Sequence, residues 1–291
     1  MSAEVKSVKK HSAYRFSVAD QYKSLLRVIA RFAVWTKPNY PNFLCIGAPR
    51  SGTSWLFRNL TQHPDVYLPW FKEVHFLDEP IATHTVANGR RFFDLSEASA
   101  WRWYSLIFLP GKNRHKGDIT PAYMLLSDAR IREVKARMPD AKLIFIMRNP
   151  IERAWSGARR SLWADHGLKP SEVIDNQQLE DAVLAPAIVD RGDYKGCIER
   201  WEAHFPANQM LYLFFEDLTA QPRAELERLL KFLDLPTFAG MEKLNLTGKV
   251  NAAPFEAPPD WLKDKLNALY EPQVRFLEKR FGRDLGHWLI E

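Results

Sequence analysis

Short apolar runs alternate along this chain with segments whose apolar residues recur at helical spacing. The runs Phe43–Gly47, Lys142–Met147 and Gln209–Phe215 are largely continuous, which is typical of strands buried on both faces of a parallel sheet. Apolar residues at helical spacing, together with Pro150 at a first-turn position, predict these helices: Thr53–Thr61, Ile131–Arg137, one opened by Pro150, Tyr194–His204, Pro222–Leu233 and Trp261–Phe281. Strands that alternate with helices predict a three-layer α/β/α fold around a mainly parallel sheet.

The first 37 residues differ from the rest of the chain in charge. The chain contains 41 Lys and Arg and 35 Asp and Glu, a net charge of +6, and residues 1–37 hold eight basic and two acidic side chains. The remainder is therefore neutral overall, which argues against a nucleic-acid partner. Over Tyr22–Ala33 the apolar spacing predicts a helix with Lys23, Arg27 and Arg31 on another face. Such a helix packs on its own domain, or binds a partner or an anionic membrane; both interpretations stay open.

Length and composition set the expected domain organisation. A chain of 291 residues usually forms one α/β domain with additions, so we expect a basic arm over residues 1–37 and one domain over residues 38–291. Hydrophobic content of 46% excludes wholesale disorder, and no apolar run approaches the roughly twenty residues of a membrane span. Two cysteines cannot form a disulfide framework, and no cluster has the spacing of zinc ligands.

The sharpest motif lies between the first predicted strand and its helix. Gly47-Ala48-Pro49-Arg50-Ser51-Gly52-Thr53-Ser54 would aim backbone N–H groups and a helix N-terminus at one point, where an anion binds. The glycine spacing equals that of the nucleotide-triphosphatase loop, but Thr53 replaces its lysine and Arg50 supplies the cation. Metal-assisted kinases also need an acid at the end of another strand, where this chain has Arg148. We therefore predict a phosphate-bearing ligand without γ-phosphoryl transfer.

A second candidate anion site follows the strand Lys142–Met147. Arg148 would stand at the carboxyl edge of the sheet, where open α/β sheets bind ligands, and Asn149 would cap the helix that Pro150 opens. Ser156 lies on the second turn of that helix, so a guanidinium and a hydroxyl would clamp a second phosphate. Alternatively, Arg148 neutralises a nearby carboxylate.

These motifs resemble those of the sulfotransferases that use 3′-phosphoadenosine 5′-phosphosulfate (PAPS), in particular the carbohydrate-type and bacterial ones. The resemblance runs from Phe43 to Trp288. It rests on Ala48–Trp55, the pair Arg148 and Ser156, Lys72–Asp78, Thr120–Tyr123, Arg191–Tyr194 with Trp201 and Phe205-Pro206, and Phe215–Leu218. It implies a P-loop NTPase-like fold with a five-stranded parallel sheet. It also implies PAPS as donor, 3′-phosphoadenosine 5′-phosphate (PAP) as product and no metal.

The resemblance also implies the site residues. Those for the donor are Arg50, Ser51, Gly52, Thr53 and Ser54 at the 5′-phosphosulfate, Arg148 and Ser156 at the 3′-phosphate, and Lys249 and Asn251 in a segment that closes over it. Glu73 would be the general base, with a pKa raised by its apolar neighbours. His75 would share a face with Glu73 in an extended segment, and would orient the acceptor, act as the base, or be a hydrogen-bonded core residue. Arg50 and Lys72 would neutralise charge on the transferred group.

The acceptor is expected to be a hydroxyl of a saccharide, a lipid-linked alcohol or another small natural product. Relatives that modify glycosaminoglycans often carry lysine where this chain has Ile119, which argues against a long, highly anionic polysaccharide. Some aromatic residues would line the acceptor cleft or pack in the core: Trp70, Phe71, Trp101, Trp103, Tyr104 and Trp163. Residues 164–192 would form a mobile excursion that acts as a lid. Golgi members of the family carry a signal anchor and this sequence shows none, so we expect a soluble cytoplasmic enzyme.

Two other functions remain as alternatives. A P-loop kinase or nucleotidase would consume ATP with magnesium, and the missing loop lysine argues against it. A non-catalytic relative of the fold would bind a membrane or a partner through the basic arm, which leaves both anion sites and Glu73 unexplained.

Overall fold

The structure is a computed structural model that describes residues 18–32, 37–78, 97–166, 175–247 and 258–289. The chain divides into two compact units. The smaller unit comprises residues 1–38 and 79–107, and the larger unit comprises residues 39–78 and 108–291. The sheet lies in the larger unit, and so do all the residues of the candidate active site.

Five parallel strands form the centre of the larger unit. They are β1 (Phe43–Gly47), β2 (Val66–Tyr67), β3 (His115–Ile119), β4 (Lys142–Met147) and β5 (Met210–Phe214). Their order in the sheet is β2-β3-β1-β4-β5, with parallel pairing throughout. The predicted parallel sheet is confirmed, and β1 and β4 have their predicted bounds. Because the strands are parallel, their carboxyl ends share one edge, where loops from β1, β3 and β4 come together.

Helices cover both faces of this sheet. In the described residues the helices of the whole chain, of which α1 and α3 belong to the smaller unit, are α1 (Val18–Phe32), α2 (Thr53–Leu60), α3 (Glu97–Ile107), α4 (Asp128–Arg137), α5 (Pro150–His166), α6 (Asn176–Val183), α7 (Pro186–Val189), α8 (Tyr194–Glu202), α9 (Phe215–Ala220), α10 (Pro222–Phe232) and α11 (Asp260–Phe281). On one face, α2 and α10 share a buried cluster with Cys45, Ile144 and Leu213. Phe145 alternates to the other face and packs on Tyr194 of α8, with ring centroids 5.7 Å apart. The predicted three-layer α/β/α fold is therefore confirmed.

Strand β3 was not predicted from the apolar pattern. Its sequence is His115-Lys116-Gly117-Asp118-Ile119, and its last four residues are buried. The strand lies between β1 and β2, so its backbone is enclosed although its side chains are mostly polar. A hydrophobic pattern cannot reveal a buried strand whose side chains are mostly polar.

The expected mobile excursion over residues 164–192 is wrong in part. Helix α5 continues to His166, and α6 and α7 occupy much of the rest. Val183 and Ile188 are buried in a cluster with residues of α5 and α11, which explains why this polar-looking stretch is ordered. Residues 167–174 lie outside the described part of the chain.

The smaller unit contains α1 and α3. Leu26 and Ala30 of α1 are buried, and the indole N–H of Trp103 in α3 donates to the carbonyl of Lys23 at 3.1 Å. This packing matches the first of the two interpretations of the arm. A second row of α1 is exposed and apolar: Val18, Leu25, Val28 and Ile29. In the described part of the chain, no helix is both long enough and apolar enough to cross a membrane.

Candidate active site

The phosphate loop, residues 47–54, joins β1 to α2 at the carboxyl edge of the sheet. Gly52 has a φ of 97°, which residues with side chains rarely adopt. A Cβ atom at this position would also lie only 3.2 Å from the ring of Phe215. No side chain caps the first turn of α2, and that turn contains no acidic residue. The helix therefore offers its N–H groups and the positive end of its dipole to an anion, as the sequence predicts.

The two predicted anion sites form one continuous surface. Nε of Arg50 donates to Oγ of Ser156 at 3.0 Å, and Nη1 of Arg148 donates to the carbonyl of Arg50 at 3.2 Å. Burial lowers the pKa of Arg50, and the nearby charges of Arg160 and Arg148 lower it further. Three guanidinium groups thus concentrate positive charge at the phosphate loop, which favours a ligand with more than one anionic group.

The side chain of Arg148 is held in a fixed orientation. Its Nε and Nη2 donate to Oε2 of Glu152 at 3.1 and 2.7 Å, and its guanidinium lies 4.8 Å from the ring centre of Phe215. The ion pair between Arg148 and a nearby carboxylate, which the sequence left open as an alternative, is therefore present. Nη1 of the same group still reaches the phosphate loop, so the ion pair with Glu152 does not draw Arg148 away from it; binding of a second phosphate by Arg148 stays a prediction.

One face of α5 supplies three residues of this surface. Glu152, Ser156 and Arg160 are spaced four apart, which places them in a row along the helix. Sequence reasoning did not select Arg160. Its spacing from Ser156 was the signal that could have found it.

A second loop, residues 72–78, approaches the phosphate loop, and we call it the carboxylate loop. Nζ of Lys72 lies 2.6 Å from Oε1 of Glu73 and 3.2 Å from Oγ1 of Thr53. Nε2 of His75 lies 3.4 Å from Oε2 of Glu73, and its Nδ1 lies 2.7 Å from Oδ2 of Asp78. The structure therefore places Lys72, Glu73 and His75 together beside Thr53, and it adds Asp78, to which the sequence assigned no role.

The carboxylate loop is not the extended segment that was expected. Glu73 and His75 have φ angles of 65° and 56°, in the left-handed region. Their side chains meet across this turn of the backbone rather than through the alternation of a strand. The expected proximity is right, but the expected conformation is wrong.

The expected rise in the pKa of Glu73 is also wrong. Burial does act to raise this pKa, but the hydrogen bond from His75 and the charge of Lys72 outweigh it and bring the pKa to about 2. The hydrogen bond to Asp78, followed by that to Glu73, raises the pKa of His75 to about 10. At neutral pH the carboxylate is therefore ionised and the imidazole protonated. A protonated ring suits orientation and charge rather than proton acceptance.

The aromatic residues suggested for the acceptor cleft differ in exposure. Trp101, Trp103 and Tyr104 belong to the smaller unit and are at most 1% exposed, which fits core packing. Trp70 is 56% exposed and meets the buried ring of Phe71 edge-on at 5.3 Å. Trp70 lies two residues before the carboxylate loop, and its exposure keeps the predicted acceptor role open.

Three predicted positions cannot be compared with the structure. Lys249 and Asn251, suggested for the 3′-phosphate, lie outside the described residues, as does the side chain of Trp163. Their roles stay predictions.

Comparison with known proteins agrees with the motifs. The sequence model of the sulfotransferase family matches residues 41–239. Human heparan sulfate glucosamine 3-O-sulfotransferase 6 is 25% identical over 85% of this chain and 73% of that protein. The mouse 3-O-sulfotransferase 3B1 is 28% identical over 84% of this chain and 64% of that protein. A sulfotransferase structure from Alicyclobacillus acidocaldarius is 26% identical, with a TM-score of 0.59 over 85% of this chain and 98% of that one.

The family match covers well over half of the chain. It includes the phosphate loop, the carboxylate loop and the pair Arg148 and Ser156, the residues on which the resemblance was first drawn. That resemblance is confirmed, and the protein is an enzyme: the chain belongs to the sulfotransferase family.

Proposed function

We propose that this sulfotransferase moves a sulfuryl group from PAPS to a hydroxyl group of a saccharide. The observation that carries the proposal is the position of the phosphate loop between two groups. Arg148 reaches it at the carbonyl of Arg50, 3.2 Å away, and Lys72 reaches it at Oγ1 of Thr53, also 3.2 Å away. This surface suits a donor with two phosphate-bearing ends, next to the carboxylate of Glu73 for an acceptor that must lose a proton.

The residues present fit PAPS on the grounds of their chemistry. The uncapped N-terminus of α2 supports binding of the 5′-phosphosulfate, and the positive charge of Arg148, whose Nη1 reaches the phosphate loop, supports binding of the 3′-phosphate. When bound, PAPS supplies an activated sulfuryl group, and PAP leaves as product. The proposed donor contacts are Arg50, Ser51, Gly52, Thr53, Ser54, Arg148 and Ser156, with Lys249 and Asn251 as further predictions.

Glu73 is the proposed general base. Its carboxylate accepts the acceptor's hydroxyl proton while the oxygen–sulfur bond to the acceptor forms and the sulfur–oxygen bond to the leaving phosphate breaks. A carboxylate with a pKa of about 2 is a weak base toward a free alcohol. The alcohol becomes far more acidic as its oxygen bonds to sulfur, so the transfer is feasible late in the reaction. His75 orients the carboxylate, and Arg50 and Lys72 offset the charge that develops on the leaving oxygen.

A saccharide acceptor is favoured by two observations. The two relatives compared above are named heparan sulfate 3-O-sulfotransferases, and a 3-O-sulfotransferase of that kind acts on a saccharide hydroxyl. The exposed ring of Trp70 can stack on the apolar face of a sugar. Ile119 is 2% exposed and lies in the core, so this position contributes no charge toward an acceptor. Lipid-linked and natural-product alcohols are the other outcomes of an acceptor screen.

The test is an acceptor screen with PAPS labelled in its sulfur and no added magnesium. We expect PAP formation together with label in a saccharide pool, read by mass spectrometry. Consumption of ATP that requires magnesium, with phosphate in the acceptor, would instead support a P-loop kinase. Binding of PAP without any turnover would support the non-catalytic alternative.

We also infer that residues 1–37 contact an anionic membrane surface. The support is the exposed apolar row of α1 together with eight basic and two acidic side chains in that segment. Sedimentation with vesicles of neutral or anionic lipid tests this, and Leu25→Ser with Ile29→Ser should abolish binding to the anionic vesicles. Equal binding to both vesicle types, or none, would contradict it. The cytoplasmic location and the division into residues 1–37 and 38–291 stay predictions.

A further inference from the structure

The carboxylate loop contains two residues with a strained backbone, one on each side of Val74. Glu73 and His75 both have left-handed φ angles, and neither is glycine. That conformation is unfavourable for a residue with a side chain, so surrounding contacts must hold it in place. Such contacts are expected on the neighbouring residues, because Glu73 and His75 direct their own side chains to each other and to Lys72 and Asp78.

Two buried hydroxyl groups bind the backbone beside the strained residues. Oγ1 of Thr120 accepts a hydrogen bond from the N–H of Val74 at 2.9 Å. The hydroxyl of Tyr123 accepts one from the N–H of Phe76 at 3.3 Å. The bonded residues, 74 and 76, therefore alternate with the functional residues, 73 and 75.

Asp118 gives both hydroxyl groups their direction. Its two carboxylate oxygens accept from Thr120 at 2.7 Å and from Tyr123 at 2.8 Å. A carboxylate can only accept, so each hydroxyl points its proton at Asp118 and keeps a lone pair for the loop N–H. Burial, and then the charge of Asp118, raises the pKa of Tyr123 far above its usual range, so this hydroxyl keeps its proton. Asp118, Thr120 and Tyr123 are all fully buried.

The same region also fixes the end of the loop and joins it to the sheet. Nε and Nη2 of Arg130 donate to the carbonyls of Leu77 and Phe76 at 3.1 and 3.2 Å. Asp118 lies on β3, and the N–H of Thr120 donates to the carbonyl of Cys45 on β1 at 3.2 Å. The strand that carries the phosphate loop is thus bonded to the residues that hold the carboxylate loop.

We propose that Asp118, Thr120 and Tyr123 are positioning residues that fix the Glu73 carboxylate relative to the phosphate loop. The inference deepens the proposed function and rests on it for the role of Glu73. These residues touch neither donor nor acceptor; they act through the backbone of the carboxylate loop. Placement matters because a shift of about 1 Å at a reacting group can cost a hundredfold in rate.

Hydrogen exchange of backbone amides in the full chain tests the contacts directly. Thr120→Val removes the hydroxyl that accepts from Val74, whereas Thr120→Ser keeps it. We expect the Val74 amide to exchange at least about tenfold faster in Thr120→Val and near the wild-type rate in Thr120→Ser. Tyr123→Phe should likewise speed exchange at Phe76.

Tyr212→Phe is the matched control for Tyr123→Phe. Tyr212 also donates to a carboxylate at 2.8 Å, that of Glu202, but lies on β5 and has no bond to the carboxylate loop in the described residues. The variant Tyr212→Phe should leave both the exchange rate of the Phe76 amide and kcat unchanged.

Measurements of kcat and PAP affinity distinguish a positioning role of Thr120 from a role in folding alone. We expect Thr120→Val to lower kcat about ten- to hundredfold while the affinity for PAP stays within about twofold. Thr120→Ser should restore most of kcat. The proposal would be overturned if Thr120→Val left exchange at the Val74 amide unchanged. It would also be overturned if that exchange became faster while kcat stayed at the wild-type value. Wild-type protein that transfers no sulfuryl group while exchange still responds would refute the proposed function but leave the contacts in place.

Discussion

The phosphate loop and the carboxylate loop reach the same place in the molecule by different means. The phosphate loop lies between a strand and a helix, and its tight turn uses Gly52 at a φ of 97°. The carboxylate loop has neither helix nor strand, and it places Glu73 and His75 in a left-handed conformation without glycine. The turn of the first loop depends on a glycine of its own sequence, although Arg50 is also left-handed there at a φ of 68°, whereas the second loop is held by hydroxyl groups more than forty residues away in sequence. Anion binding and proton transfer should accordingly respond to different substitutions.

Substitution of the proposed base should give the largest effect. Glu73→Gln keeps the shape of the side chain but removes its ability to take a proton, so we expect kcat to fall about 10²- to 10⁴-fold. PAP affinity, measured by calorimetry, should change less than about threefold. Glu227→Gln, at an exposed pair with Arg223, is the matched control and should keep full turnover. Full turnover in Glu73→Gln would place the base elsewhere.

Substitution of Arg148 should weaken binding of the donor's 3′-phosphate. Arg148→Ala removes the proposed fork for the 3′-phosphate, and a hydrogen bond to a charged group contributes about 1.5–3 kcal/mol, or about ten- to a hundredfold in PAP affinity. The preference for PAP over AMP, which lacks the 3′-phosphate, should disappear in the same variant. Arg228→Ala, at an exposed arginine that pairs with Glu225, is the control. If Arg148→Ala kept the preference for PAP, the 3′-phosphate would bind elsewhere.

Two glycines with similar φ angles test whether the turn of the phosphate loop affects PAP binding as well as the stability of the fold. Gly52 and Gly240 have φ angles of 97° and 98°, but a Cβ at Gly52 would lie 3.2 Å from Phe215, whereas one at Gly240 would meet nothing within 4 Å. Either alanine variant should lose about 1–2 kcal/mol of unfolding free energy, measured with urea. Only Gly52→Ala should also weaken PAP binding, by about tenfold. Equal PAP affinity in both variants would contradict this role.

The smallest expected effect is the pH dependence of stability at the carboxylate loop. The pKa of His75 rises from 6.5 to about 10, so its contribution is complete below pH 6.5 and is lost as the pH rises toward 10. The pKa of Glu73 falls from 4.5 to about 2, so its contribution is complete above pH 4.5 and is lost as the pH falls toward 2. The difference in Tm between wild type and His75→Gln should therefore be largest between pH 4.5 and 6.5. A difference that stays constant up to pH 9.5 would contradict the ion pair.

The sequence predicted the features that depend on regular local patterns. Strands β1 and β4, the helix after the phosphate loop and the position of Arg148 beside that loop all follow from apolar runs, glycine spacing and capping. Strand β3 was missed because its side chains are mostly polar, although its last four residues are buried. The pKa of Glu73 was predicted in the wrong direction because its apolar neighbours in sequence matter less than Lys72 and His75 in space. Arg160 was missed because its role depends on the meeting of α5 with the phosphate loop.

The ammonium group of Lys72 is shared between the two loops, and this has a consequence for the order of events. It contacts Glu73 at 2.6 Å and Thr53 at 3.2 Å. An anionic donor at the phosphate loop competes with Glu73 for this cation, and every contact that Glu73 loses lets its proton affinity rise. On the proposed function, arrival of the donor would therefore raise the proton affinity of Glu73, while the hydrogen bond from His75 would still act to lower it. Lys72 would in this way couple filling of the phosphate loop to the protonation of the carboxylate loop.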